Sequence, residues 1–275
     1  MSSLSPSPEH PGVPRRTLAV YTILTAIMLI TLVAASCSTH TTPSRVAPAD
    51  GVVRAGASYL EVAHIVDNVD NQRVMSRAAT GDTSAKERGK VRIEQHVAPV
   101  NGVVNVQLIK LGHYAAGDFV DTMSMTRDGL RPITERMQFG SIVKTIHYDG
   151  DRLHETIQVG DSVPRALDRS FPMPVFGFNQ LELVLQSLPL RPGFHAILPL
   201  YSEGDDSLEL DTATVVMLAQ SSDRGPSASW TVRFADPAIV STYVIDTLSR
   251  RITSYEVQAR KSGMHSWIER ESTVQ

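Results

Sequence analysis

Ile142-Val143-Lys144-Thr145-Ile146-His147-Tyr148-Asp149-Gly150-Asp151-Arg152-Leu153-His154-Glu155-Thr156-Ile157 alternates large apolar with polar residues on both sides of an Asp-Gly pair. A period of two is that of a strand with one buried face. Asp-Gly favours the type I′ turn, whose two central residues need positive φ. Folding the segment about Asp149-Gly150 sets Tyr148 opposite Asp151, Ile146 opposite Leu153, Lys144 opposite Glu155 and Ile142 opposite Ile157. One face then carries apolar pairs and a pair of opposite charges, the combination that stabilises neighbouring strands.

The same logic extends outward. Asn101-Gly102 places Val97 opposite Val106 and Ile93 opposite Lys110. Asp128-Gly129 places Asp121 opposite Arg136 and Met123 opposite Thr134, while Phe119, Met123 and Met125 share a face. Three such turns in one stretch predict an antiparallel meander. Further strands are expected at Phe194 to Tyr201, Leu208 to Ala219, Ser229 to Phe234, Ile239 to Ile245, Arg251 to Ala259 and Met264 to Glu269, separated by turns such as Asp236-Pro237. A polar loop is expected from Gly81 to Gly89.

One segment has a different period. After the rigid Phe171-Pro172-Met173-Pro174, Leu181, Val184, Leu185 and Leu188 recur at helical spacing, with Asn179 as the expected N-cap, Glu182 three residues on, and Pro189 as the stop. The fold class is therefore mainly β: a large, curved antiparallel sheet, a half-barrel or open barrel, with one short plug helix near 179–188.

The amino-terminal region is built differently. Arg15-Arg16 precede an uncharged apolar run from Thr17 to Ser36, which ends at Cys37, the only cysteine in 275 residues. About twenty apolar residues suffice to cross a bilayer, and a basic start with a small-residue end is the layout of an export signal. Val33-Ala34-Ala35-Ser36-Cys37 is similar to the lipobox of bacterial lipoproteins, which implies a lipidated Cys37. An uncleaved membrane helix and ordinary secretion are the alternatives, and the long start with Pro6, Pro8, Pro11 and Pro14 fits the uncleaved anchor. Residues 1–37 thus read as a signal or anchor, 38–57 as a flexible tether rich in Ser, Thr, Pro and Ala, and 58–275 as one folded domain, its structure starting near Tyr59. With one cysteine no internal disulfide forms. A net charge of -3, a pI of about 6.3 and no basic cluster argue against a nucleic-acid partner.

Asp168 to Gly193, with Phe176, Asn179-Gln180-Leu181, Leu188-Pro189-Leu190 and Pro192-Gly193, followed by Trp230, Tyr243-Val244-Ile245-Asp246 and Arg251, resembles a bacterial family of exported domains of unknown function. The resemblance spans Asp121 to Glu256 and departs from the family at Val244, in place of Trp, and at Phe178, in place of a small polar residue. It implies the fold of the lipoprotein-localisation factors, half-barrels that close over a lipid-sized cavity.

Candidate chemistry is sparse. Thr145, His147, Arg152 and His154 are expected on one face with the two imidazoles diagonal, at roughly 7 Å between Cβ atoms. Arg152 opposite His147 would repel a cation and no third ligand is evident, so a solvated face is expected rather than a metal site. Glu203, Asp205 and Asp206 read as a solvated turn, too short a run of oxygen ligands for Ca²⁺. Gly160-Asp161-Ser162 lies in polar surroundings beside Pro164 and reads as a loop, and none of the hydrolase, phosphate-loop or dinucleotide motifs is present. No cofactor is expected and an uncharacterised hydrolase is the least favoured reading. Met123, Met125, Met137, Phe171, Met173, Phe176, Phe178, Leu181, Val184 and Leu185 are the candidates to line a cavity for an acyl-like ligand, since Met and Phe adapt to flexible apolar partners. Filling the core is the competing role for the same residues, and goes with an envelope adaptor module.

Lipidation is directly testable. Cys37→Ala is expected to release the protein from membranes into the soluble fraction if the thiol carries the anchor, and to leave it membrane-bound if the apolar run spans the bilayer.

Overall fold

The computed structural model describes residues 51–57, 59–81, 84–191, 193–202, 207–220, 228–235 and 239–271. The apolar run, Cys37, the tether as far as residue 50, Asp82 and Thr83, the Glu203, Asp205 and Asp206 loop, and Asp236-Pro237 lie outside the described residues.

Two meanders make up the sheet. The first runs through β1 (Asn68–Arg77), β2 (Lys86–Val100), β3 (Val103–Tyr114), β4 (Gly117–Thr126), β5 (Pro132–Phe139), β6 (Ile142–Asp149), β7 (Arg152–Val159) and β8 (Arg165–Ser170). The second follows a short strand, β9 (Phe176–Gly177), a 3-10 turn (Phe178–Gln180) and the helix α1 (Leu181–Ser187), and comprises β10 (His195–Ser202), β11 (Ser207–Gln220), β12 (Ala228–Ala235), β13 (Ile239–Asp246), β14 (Ile252–Ala259) and β15 (His265–Arg270). The meanders join edge to edge where β1 pairs antiparallel with β15, Gln72 beside Arg270 and Arg77 beside His265. A single unclosed sheet results, with β8 and the parallel-paired β9 at its edges. The inner faces of the two halves nevertheless touch, because the Tyr201 hydroxyl of β10 donates to Glu155 of β7.

The turns test the expected register one at a time. Asn101 and Gly102 both have positive φ, 51° and 81°, and Val97 pairs with Val106 and Ile93 with Lys110, as expected. Asp149-Gly150 is displaced by one residue: Asp149 pairs with Arg152, so Gly150 and Asp151 occupy the turn, Tyr148 faces Leu153, and Ile146 faces Glu155. Each strand moves by one, so the faces survive and Ile146, Tyr148, Leu153, Lys144 and Glu155 are all buried as a set. At Asp128-Gly129 the two-residue turn is wrong. A 3-10 turn, Asp128–Leu130, takes one residue more, with Gly129 and Leu130 at positive φ and a bulge at Ser124/Met125. Met123 therefore pairs with Glu135 rather than Thr134, and Asp121 with Met137 rather than Arg136. This one-residue slip exchanges the faces of β5, turning Glu135 inward and Arg136 out to solvent.

Helix α1 is seven residues long, too short to persist alone in water. Its support is burial: Leu181, Leu183, Val184, Leu185 and Leu188 pack inside the curved sheet beside Met123, Met125, Phe176, Leu198 and Leu200. Gln180 occupies the N-cap position without a side-chain cap, so the expected capping by Asn179 is not what the helix uses.

The amino-terminal edge of the domain also lies earlier than Tyr59. Val52 bridges Ile197, Val53 and Ala55 are buried, and the Gly56 amide donates to the Gly129 carbonyl at 2.7 Å. A Cβ on Gly129 would sit 2.5 Å from the Gly56 backbone, so a side chain at that position would push this segment off the sheet.

Leu185, wholly buried in α1, and Val163, 89% exposed in the β7–β8 loop, form a matched pair. Leu185→Ala is expected to cost about 2–5 kcal/mol of stability and Val163→Ala less than about 0.5 kcal/mol, read from urea-unfolding midpoints.

Candidate functional site

The inner face of the first meander carries charge beneath the plug. Asp121 of β4 is wholly buried, and neither of its carboxylate oxygens makes a well-formed hydrogen bond. Burial, and next to it the Glu135 carboxylate, push its pKa up to about 8, while Lys110 and the Thr122 amide offset only part of the rise. At neutral pH Asp121 therefore keeps its proton. Glu135 of β5, 1% exposed, is held differently: its Oε2 accepts from the Tyr148 hydroxyl at 2.8 Å and its Oε1 from Asn179 Nδ2 at 2.5 Å.

These contacts tie the plug to the sheet. Lys110 Nζ donates to the Asn179 carbonyl at 2.7 Å, and Gln180 Nε2 to the Leu130 carbonyl at 2.8 Å, with Gln180 Oε1 buried and unpartnered. Gly177 lets the plug approach so closely, for a Cβ there would lie 2.7 Å from Met123 Cε, 2.8 Å from the Tyr148 hydroxyl and 3.1 Å from Glu135 Oε2. A second buried pair lies further along the face, Lys144 Nζ standing 2.9 Å from Glu155 Oε1 while Tyr201 occupies Oε2. Lys144 and Glu155 were expected directly opposite one another; they meet diagonally.

A strap from residue 59 to 67 closes the far end of α1. The Glu61 amide donates to the Ser187 carbonyl at 2.8 Å, Arg250 bonds both Glu61 and the Leu188 carbonyl, and Arg127 donates to the Val62 and Ala63 carbonyls. His64, within the strap, has its pKa pushed down to about 4, first by burial and then by Arg250 and Arg127. A solvent-open cleft of about 270 Å³ lies between the strap, α1 and the β13–β14 turn, lined by His64, Asn68, Gln95, Gln186, Ser249 and Arg251 among others. It is polar and too small for an acyl chain.

Of the expected cavity residues, Met123, Met125, Phe176, Leu181, Val184 and Leu185 come together in one packed cluster, with Phe178 and Phe171 partly buried against it. In this state they fill the interior. His147 and His154 are exposed and directly paired, not diagonal, with Arg152 opposite Asp149; His154 Nδ1 lies 2.7 Å from Asp168 Oδ1. Ser162 is on an exposed turn, its hydroxyl accepting from the Val159 amide. No cluster of three or more metal-ligating side chains occurs among the described residues, and no described helix is long and apolar enough to cross a membrane. From the sequence, Asp121 has a cross-strand partner and Asn179 a capping role rather than a place in this site, and Glu135 and Gly177 are not singled out. A carboxylate at period two with Phe119, Met123 and Met125 was the one visible signal.

No protein-family model and no curated protein matches the sequence. Among solved structures, the chain is similar to a LolA superfamily protein from Nitrosomonas europaea, with 12% identity and a TM-score of 0.25 over 80% of this chain and 93% of that one. It is also similar to a putative outer membrane lipoprotein-sorting protein domain from Vibrio parahaemolyticus, with 9% identity and a TM-score of 0.22 over 76% and 87%. At scores this low the fold rests on the strand pairing itself.

The raised Asp121 pKa has a definite consequence for stability. Between pH of about 4 and 8 the unfolded chain gives up this proton while the folded chain keeps it, so the native state loses stability as pH rises through that window; below it both states hold the proton and the penalty disappears. Asp121→Asn is therefore expected to be more stable than the parent at pH 8, on the order of 2–4 kcal/mol, with the gain shrinking toward pH 4. Urea unfolding of both proteins across that range measures it.

Proposed function

We propose that this chain is a cell-envelope lipoprotein, anchored through Cys37, whose extracytoplasmic domain binds a hydrophobic ligand on its inner face when the plug withdraws. The observation that carries the reading is how the apolar face is covered. The second meander supplies one wall; the cover itself is a seven-residue helix and its flanking turn, held down by Asn179, Lys110 and Gln180 side chains. Contacts of this kind, about 0.5–1.5 kcal/mol each net and up to about 3 kcal/mol where a charged group takes part, can be exchanged without breaking the sheet. The face beneath is soft, Met123 and Met125 lying against Phe176, Val184 and Leu185, and Met repacks readily around flexible chains. The role is one of carriage or sensing, with no chemical step.

A second reading has its own support. The same residues fill the interior completely, Met123, Met125, Phe176, Val184 and Leu185 each being 0% exposed, which suits an adaptor whose core is finished and whose work is done at its surface.

Native mass spectrometry of the full chain, extracted from membranes in mild detergent, separates the two. Binding predicts a stoichiometric adduct of lipid mass, lost on collisional activation, beyond any modification of Cys37. A clean apo mass at every activation energy, together with failure to take up an added fatty acid, would support the adaptor and overturn the binding reading.

A further inference from the structure

Carboxyl groups outnumber the ammonium beside them under the plug. Asp121 has the Glu135 carboxylate and the Lys110 ammonium near it, and in the closed state that ammonium is occupied by the Asn179 carbonyl of the plug. Glu135 has two neutral donors, the Tyr148 hydroxyl and the Asn179 amide. Asp121, 0% exposed, has no well-formed hydrogen bond on either oxygen, the Thr122 amide and Lys110 offsetting only part of the effect of its burial. The buried polar atoms left without partners on Asp121 and on Gln180 of the plug, Asp121 Oδ1 and Oδ2 and Gln180 Oε1, are all acceptors. Sealed acceptors without donors are costly in any protein interior, and a packed core gains nothing from them.

When the plug withdraws, Asn179 leaves Glu135 and releases Lys110. Two carboxyl groups then share the Lys110 ammonium on a face that Met123, Met125 and Ile146 also line, with the Lys144–Glu155 pair further along it. The opened site has an apolar floor and, once Asp121 ionises, one negative charge beyond what Lys110 offsets. We propose that Asp121 and Glu135 are a recognition point for the cationic head of a single-chain amphiphile, an amine or quaternary ammonium whose apolar tail takes the place of α1. The inference rests on the plug-withdrawal reading above and names the class of ligand for that site. A cation there would supply the opposite charge that favours ionised Asp121. Tyr148, on the next strand, would offer its ring to the same head group.

The groups that face Asp121 are Lys110 on β3 and Glu135 on β5, with Tyr148 of β6 and Asn179 of the plug on Glu135's far side. Because Asp121 ionises near pH 8 in the closed state, a permanent cation should bind better at pH 9 than at pH 6.

The test is titration calorimetry on the purified full chain with three probes of one tail length, each below its micelle concentration: dodecyltrimethylammonium, dodecyl sulfate and dodecyl maltoside. The expected result is at least tenfold tighter binding of the cation than of the maltoside, weakest binding of the sulfate, and a further severalfold gain for the cation between pH 6 and pH 9. In Asp121→Asn, and independently in Glu135→Gln should the first variant fold poorly by circular dichroism, the ratio of cation to maltoside affinity should fall toward one. Equal affinity for cation and maltoside in the parent chain at both pH values overturns the recognition point while leaving hydrophobe binding intact. No binding of any probe overturns both.

Discussion

The contact between α1 and the inner face of the curved sheet is the constraint on which the rest of the structure depends. Each side buries its apolar surface against the other. Seven residues cannot nucleate and hold a helix in water, and an inner face bearing Met123, Met125, Ile146, Leu198, Leu200 and Val232 cannot be left wet. Each large side chain so buried contributes about 1.5–3 kcal/mol. The long-range pairing of β1 with β15 fixes the curvature that brings the two halves round the helix, and Tyr201 with Glu155 marks where their inner faces meet.

The buried polar groups acquire their meaning from that contact. A cover made only of leucine would be held by area alone, and its position along the sheet would be loosely set. Asn179 on Glu135, Lys110 on the Asn179 carbonyl and Gln180 on the Leu130 carbonyl fix the register of the plug, and Gly177 allows the approach that these bonds need. Asp121 works in the opposite direction, its neutral form tolerated and its ionised form disfavoured. The closed state is thus specified strongly in position while carrying a local penalty, a combination expected of an element that has more than one resting place.

How much of this was legible in the sequence depended on what each turn constrains. At Asn101-Gly102 both residue types suit positive φ, leaving one register, and it was readable. At Asp149-Gly150 the glycine fits either central position of the turn; the turn moved by one residue and each partner by two, so the buried face stayed the same. At Asp128-Gly129 the extra residue Leu130 and the bulge at Ser124/Met125 left no local trace, and the one-residue slip concealed the inward-facing Glu135. That slip also explains Asn179. As a helix cap it satisfies every local rule, but a carboxylate 44 residues away in sequence competes for the same side chain and wins. The helix itself was plain from the spacing of Leu181, Val184, Leu185 and Leu188, because burial on one side leaves a period that tertiary structure cannot erase.

Whether the plug is a separable element is the point on which the account turns, and native-state hydrogen exchange at low denaturant addresses it most directly. The account predicts that amides of residues 181–188 exchange through an opening that needs less free energy and depends less on denaturant than the opening of β4 and β12, so that the plug comes away while the sheet stays folded. Exchange of the α1 amides only through global unfolding, with the same free energy and denaturant dependence as those central strands, would contradict it.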